Sequence, residues 1–127
     1  TDNGGITIKN CSGEVSATSD NGAIGVSGAV TAFHAKTDNG GIALHLTDPQ
    51  VGFTGGEAIS DNGGIHLDIG SGHNLKLDAK TDNGRIDLKL DSLRVSGGKR
   101  SMTANLGKGD PVGTMRVRTD NGSITIK

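Results

Sequence analysis

Six copies of one short motif, Thr/Ser-Asp-Asn-Gly-x-Ile, constrain this chain more than any other feature. They begin at Thr1-Asp2-Asn3-Gly4, Ser19-Asp20-Asn21-Gly22, Thr37-Asp38-Asn39-Gly40, Ser60-Asp61-Asn62-Gly63, Thr81-Asp82-Asn83-Gly84 and Thr119-Asp120-Asn121-Gly122. The Asp residues follow one another at intervals of 18, 18, 23, 21 and 38. The last interval reads as two units of about 19 residues, one with a degenerate corner, so a divergent coil or loop is expected at about 91–118. Recurrence at a near-constant period is the signature of a repeat architecture, in which each unit buries its apolar face only against its neighbours.

Each motif is followed by alternating aliphatic residues: Ile6/Ile8, Ile24/Val26, Ile42/Leu44, Ile65/Leu67, Ile86/Leu88 and Ile124/Ile126. A period of two is the pattern of a strand with one buried face. A second strand runs into the corner, with Val15/Ala17, Phe33/Ala35, Leu77/Ala79 and Met115/Val117 at its inward positions. The fourth repeat has Gly56 and Ala58 there, which specify an approach strand only weakly.

Asp-Asn-Gly suits a sharp corner. Asn and Gly tolerate positive φ, and Asp or Thr side chains can bond the amides of a turn. The expectation is that each corner satisfies its own backbone, the Thr/Ser hydroxyl bonding within it. The fold expected is therefore all-β: a single-domain β-solenoid, parallel β-helix-like, of about six to seven coils of 18–23 residues with Asp-Asn-Gly corners. An antiparallel β-sandwich is the alternative, because Asn-Gly between alternating strands is also a strong hairpin signal. A meander, however, would turn every 8 to 12 residues or so with varied turn chemistry.

Composition bears on the core and the partners. Only 31% of the 127 residues are apolar, two are Phe and none is Trp or Tyr, while 22 are Gly, so the core must be narrow. Thirteen basic residues balance fourteen acidic ones, which removes the electrostatic case for nucleic acid. Cys11 is the sole cysteine, so an intramolecular disulfide and a Cys-based zinc cluster are excluded. No apolar run approaches the ~18 residues of a membrane span, and no signal sequence opens the chain. Residue 1 already lies inside a motif, so the expectation is a single domain over 1–127 excised from something longer.

With those residues laid out, the chain resembles the bacterial putative adhesin family of cell-envelope domains, whose repeats run close to Thr-Ser-Asn-Gly-x-Ile. The stretches Leu77-Asp78-Ala79-Lys80-Thr81-Asp82-Asn83-Gly84-Arg85-Ile86 and Met115-Arg116-Val117-Arg118-Thr119-Asp120-Asn121-Gly122-Ser123-Ile124 carry the likeness most closely. The resemblance implies an extracellular or periplasmic module, largely of unknown function. Asp stands here where the family tends to have Ser, which points to a turn-former rather than a ligand.

Stacked corners would align Asp2, Asp20, Asp38, Asp61, Asp82 and Asp120. Calcium could compensate such a column, since carboxylates and turn carbonyls suit a hard cation, but the Gly-Gly-x-Gly-x-Asp spacing of calcium β-rolls is missing. Asx-type turn bonding, with Lys36, Lys80 and Arg118 as counter-charges, is the plainer reading. On the strand after the corner, one outward column holds Thr7, Gly25, Ala43, His66, Asp87 and Thr125, and the next holds Lys9, Ser27, His45, Asp68, Lys89 and Lys127. In register, His45, His66, Asp68 and Asp87 would form a patch a transition metal could accept, whereas a solvated polar strand face needs no ligand at all. His34 and His73 make weaker candidates.

No nucleophile elbow, phosphate loop or His-Glu-x-x-His is present. Asp68, Asp87 and Lys89 could imitate a polysaccharide-cleaving site, but no Tyr or Trp is available as a sugar platform. Ice binding is disfavoured because the Thr/Ser column points inward. Cys11 lacks an identifiable base and reads as a small filler near a coil edge. The Gly- and Lys-rich stretch from Gly97-Gly98-Lys99-Arg100 through Gly107-Lys108-Gly109-Asp110-Pro111 reads as a loop over the side or end of the stack. The function expected is a non-enzymatic structural or interaction module of a bacterial cell-envelope protein, without a cofactor, that binds a protein, peptide or cell-wall partner. It would not insert in a membrane, and it could self-associate through its ends. The alternative is a carbohydrate-active or metal-dependent site on the His/Asp face.

Overall fold

The structure is a computed structural model that describes residues 1–46, 54–68, 75–89, 92–97, 100–106 and 113–126, with backbone alone at 88, 92–97 and 106. Eleven strands follow in chain order: β1 (Ile6–Ser19), β2 (Ile24–Thr37), β3 (Ile42–Leu46), β4 (Gly55–Ser60), β5 (Ile65–Asp68), β6 (Leu75–Thr81), β7 (Ile86–Leu88), β8 (Ser92–Gly97), β9 (Ser101–Leu106), β10 (Gly113–Thr119) and β11 (Ile124–Ile126). No helix occurs among the described residues. Eight of the ten strand pairings are parallel, which the antiparallel sandwich does not accommodate.

All eleven strands belong to one sheet, folded at the long strands β1 and β2. The front half of β2 pairs with β3, and its back half pairs with β4. Two arms result. The departure arm, which leaves the corners, runs β1-β2-β3-β5-β11-β7, and the approach arm, which enters them, runs β1-β2-β4-β10-β6 before β9 and β8. At the bend of β1 the chain adopts positive φ at Asn10 (56°) and Gly13 (89°), and the register against β2 slips on both sides of the bend.

Alternation places the apolar residues between the arms. Ile24, Ile42, Ile65 and Ile124 form a fully buried row on one arm, and Ala35, Ala58, Val117 and Ala79 form a small-residue row on the other. That second row explains how so few apolar residues close a core. Farther along the approach arm the inward neighbours are Val15, Phe33, Gly56, Met115 and Leu77 in turn. The weakly specified Gly56 therefore sits between two long buried side chains that take up the volume it lacks.

The repeats do not stack in sequence order. The sixth, β10-corner-β11, lies between the fourth and the fifth: β10 pairs with β4 on one side and β6 on the other, and β11 with β5 and β7. Where one divergent coil was expected, β8 and β9 instead pair antiparallel with each other, and β9 pairs with β6. The charge pattern supplies a reason. In sequence order the outward Glu57 of β4 would lie beside Asp78 of β6, and insertion places Arg116 between them. Like charges on neighbouring strands are unfavourable and opposite charges favourable, each by about 0.2–1 kcal/mol.

Gly25 lies in β2 between Thr7 and Ala43, and a Cβ there would meet nothing within 4 Å. A glycine inside a strand forgoes packing and is entropically costly. Gly25→Thr is expected to raise stability by about 0.5–1 kcal/mol, read as a higher urea midpoint at unchanged slope.

Candidate interaction surface

Every corner is held by its neighbours rather than by itself. The Asn39 amide N–H donates to the Asp20 carbonyl, Asn62 to Asp38, Asn121 to Asp61 and Asn83 to Asp120, each at 2.8 Å. The Thr37 hydroxyl donates to the Gly22 carbonyl (3.0 Å), Ser60 to Gly40 (2.8 Å), Thr119 to Gly63 (2.9 Å) and Thr81 to Gly122 (2.9 Å). This corrects the expectation of bonding within a corner: peptide groups in a parallel stack point along the stack, so their partners are one repeat away. These hydroxyls are buried and each has a partner, as buried polar groups require.

The corner glycines correct a second expectation. No corner Asn or Gly has positive φ. Glycine is required instead by proximity, because a Cβ on Gly40 would lie 2.2 Å from the Gly22 carbonyl oxygen, and one on Gly63 2.0 Å from that of Gly40. Outside this glycine column runs a ladder of side-chain amides. Asn21 donates to Asn3, Asn39 to Asn21, Asn62 to Asn39, Asn121 to Asn62 and Asn83 to Asn121, at 2.7–2.9 Å. Its order is again that of the inserted sixth repeat.

The carboxylates Asp2, Asp20, Asp38, Asp61 and Asp82 project into solvent, and Asp120 is half-buried. No corner carboxylate accepts a hydrogen bond among the described residues; Asp120 is the one with an ion pair, Oδ1 to Arg118 Nε at 3.6 Å. Of the expected counter-charges only Arg118 is thus engaged.

On the departure face the four His/Asp candidates separate. His45 Nδ1 and Asp68 Oδ2 meet at 2.9 Å across β3 and β5, both largely exposed. His66 faces Thr125, and Asp87 lies on the far side of Thr125, where it pairs with Lys89 at 3.9 Å. Insertion of β11 is what parts them. Among the described residues no group of three or more His, Cys, Asp or Glu could hold a metal ion. His34 lies on the approach face, its Nε2 3.8 Å from Glu14. Cys11 is half-buried at the β1 bend, packs against the core and points its Sγ at the Ser27 carbonyl (3.6 Å). His73, Lys127 and residues 98–99 and 107–111 of the Gly/Lys-rich stretch lie outside the described residues.

What reading the sequence missed is the approach face. Its central row runs Ser16, His34, Glu57, Arg116, Asp78 and Thr103 across six strands, a file of alternating charge that exists only because β10 is inserted. The signal was available in the clash of Glu57 with Asp78. Beside this row a depression of about 200 Å³ is lined on the outward side by Ser16, Thr18, His34, Lys36, Glu57 and Ile59. A hydrogen-bonded strand surface with fixed polar side chains can recognise an extended polymer or a protein face. No helix of the described residues is long and apolar enough to cross a membrane.

No protein-family model matches the chain, and no curated protein matches it in sequence. Among solved structures it is similar to a crystal structure of a putative cell adhesion protein from Clostridium sporogenes ATCC 15579, with a TM-score of 0.63 and 13% identity over 91% of this chain. The match spans 55% of that structure's length, about half. At this identity the likeness is one of fold: an all-β chain of mostly parallel stacked strands.

Proposed function

We propose that this domain is a rigid, non-enzymatic spacer and interaction module of the bacterial cell envelope, a β-solenoid with an inserted terminal repeat, which presents its approach face to a protein, peptide or cell-wall partner. The observation that carries the reading is the ladder of inter-repeat bonds at every corner, which fixes the spacing of the side chains on the strand faces. The adhesion label of the structural neighbour and the repeat resemblance both point the same way. Binding of the labelled domain to purified bacterial cell walls and to envelope protein extracts tests it. Saturable binding is expected, weakened at least tenfold by Lys36→Glu, which leaves the Glu57–Arg116–Asp78 file intact, and unaffected by His45→Ala. Absence of saturable binding to either preparation would sink the proposal.

In this reading neither the Asp column nor the His45–Asp68 pair is an ion site. Calcium or zinc added to chelator-treated protein is expected to leave the melting temperature where matched salt leaves it, and Asp68→Asn to cost under about 0.5 kcal/mol, as exposed pairs do. A rise of several degrees with either ion, abolished by Asp68→Asn, would restore the metal alternative.

A further inference from the structure

The inserted sixth repeat fills a slot whose walls are made entirely by earlier residues. On the approach arm, β10 is bounded by β4 (Met115 beside Gly56, Val117 beside Ala58) and by β6 (Met115 beside Leu77, Val117 beside Ala79). On the departure arm, Ile124 lies between Ile65 and Ile86. Met115, Val117, Thr119, Ile124 and Ile126 are all buried, so an empty slot would expose apolar walls and two facing rows of unpaired backbone groups. Such edges are templates for an incoming strand.

The slot selects its occupant. Any arm with a Thr-Asp-Asn-Gly corner can join the amide ladder, but other features are particular to this one. A Cβ on residue 113 would lie 1.8 Å from the Thr54 carbonyl oxygen, so Gly113 is required in addition to the corner glycine that every repeat has. Met115 fills the space beside Gly56, and Arg116 separates Glu57 from Asp78. The residues eight positions before the second to sixth corner asparagines are Gly13, Thr31, Thr54, Leu75 and Gly113, and Gly113 alone is followed by Arg or Lys three positions on. The fitting arm is therefore residues 113–126 of this same sequence.

Nothing in the slot requires that arm to come from the same molecule. Leu106 at the end of β9 and Gly113 at the start of β10 both pair with Leu75, on opposite sides of β6, so these two residues lie two strand spacings apart, about 10 Å. Six residues, Gly107-Lys108-Gly109-Asp110-Pro111-Val112, can reach about 20 Å when extended, which leaves slack. We propose that two copies of this chain assemble by reciprocal exchange of residues 113–126, each arm occupying the other's slot between β4–β5 and β6–β7. Every bond of the closed monomer is then remade, and the exchange closes on a twofold dimer rather than an open chain. A short tether holds its own arm at an effective concentration of ~1 mM, so dilute folding gives monomer and concentrated folding gives exchanged dimer.

The test uses the full chain with Cys11→Ser. Glu57→Cys and Arg116→Cys are placed together in one chain, and separately in two differently tagged chains. Because residues 57 and 116 are register partners, the double variant should close a disulfide within the monomer on oxidation. The two single variants, unfolded together and refolded near 1 mM, should give a 57–116 linked heterodimer in excess of either homodimer, and almost none when mixed already folded. Monomer alone after concentrated refolding, equal cross-linking from folded mixtures, or a double variant that cannot close would each overturn exchange.

Discussion

Gly40→Ala is expected to destabilise the protein by about 3 kcal/mol or more, while Gly4→Ala costs under about 0.5 kcal/mol, although the two residues occupy the same place in the motif. The difference lies in the neighbour. A Cβ on Gly40 would lie 2.2 Å from the Gly22 carbonyl oxygen and 2.5 Å from its carbon, whereas one on Gly4 would meet only the Thr1 side chain, at 3.3 Å. Main chain cannot move aside as the tip of a side chain can. Relieving the overlap means parting two repeats, which stretches the 3.0 Å bond from Thr37 to Gly22 and the amide bond from Asn39 to Asn21. Insertion of surplus atoms into packed cores usually costs 1–3 kcal/mol or so, and a clash with fixed backbone belongs at or above that upper end. Urea unfolding of the two variants against the parent decides it. A Gly40→Ala protein as stable as the parent would mean that the corners are not stacked at this spacing.

The second large effect is expected at Phe33→Ala, a loss of about 3–5 kcal/mol in chemical denaturation. Phe33 is fully buried, and the inward position next to it is Gly56, which has no side chain to fall into the vacated space. The cost of such a truncation rises with the cavity that survives it. Enlarging Gly56 cannot rescue the variant, because a Cβ there would sit 1.8 Å from the Phe33 carbonyl oxygen, with φ at +150°. Phe33→Ala with Gly56→Ala should therefore be less stable than either alone. By contrast Val15→Ala, in the outermost repeat and 7% exposed, should cost about 1–2 kcal/mol. If Phe33→Ala cost no more than Val15→Ala, the placement of Phe33 over Gly56 would be wrong.

Much of the molecule was legible in its sequence because the signals are local. Alternation after Asn-Gly marked the departure strands, which begin at Ile24, Ile42, Ile65, Ile86 and Ile124. Inward parity of the Thr/Ser column was legible too, since Ser19, Thr37, Ser60, Thr81 and Thr119 continue the inward phase of the strands before them and are all buried. The reason assigned to the corner glycines was the wrong one. A single repeat read alone suggests a turn that needs positive φ, and only the stacked repeat reveals a carbonyl where a Cβ would be.

The grouping of the His and Asp candidates depends on the same long-range order. His45, His66, Asp68 and Asp87 form a patch only if repeats stack in sequence order, and Thr125 stands between His66 and Asp87.

The sequence by itself determined the strands that flank the corners, their inward faces and the residues of the corner that joins them, because each is set by residues within a few positions of one another. Only the tertiary structure decided which repeat lies beside which. Six nearly identical corners bond equally well to any neighbour, so local chemistry leaves the order open. It is settled by long-range terms: Arg116 between Glu57 and Asp78, Met115 and Phe33 on either side of Gly56, and the β8–β9 pair occupying the outer edge of β6.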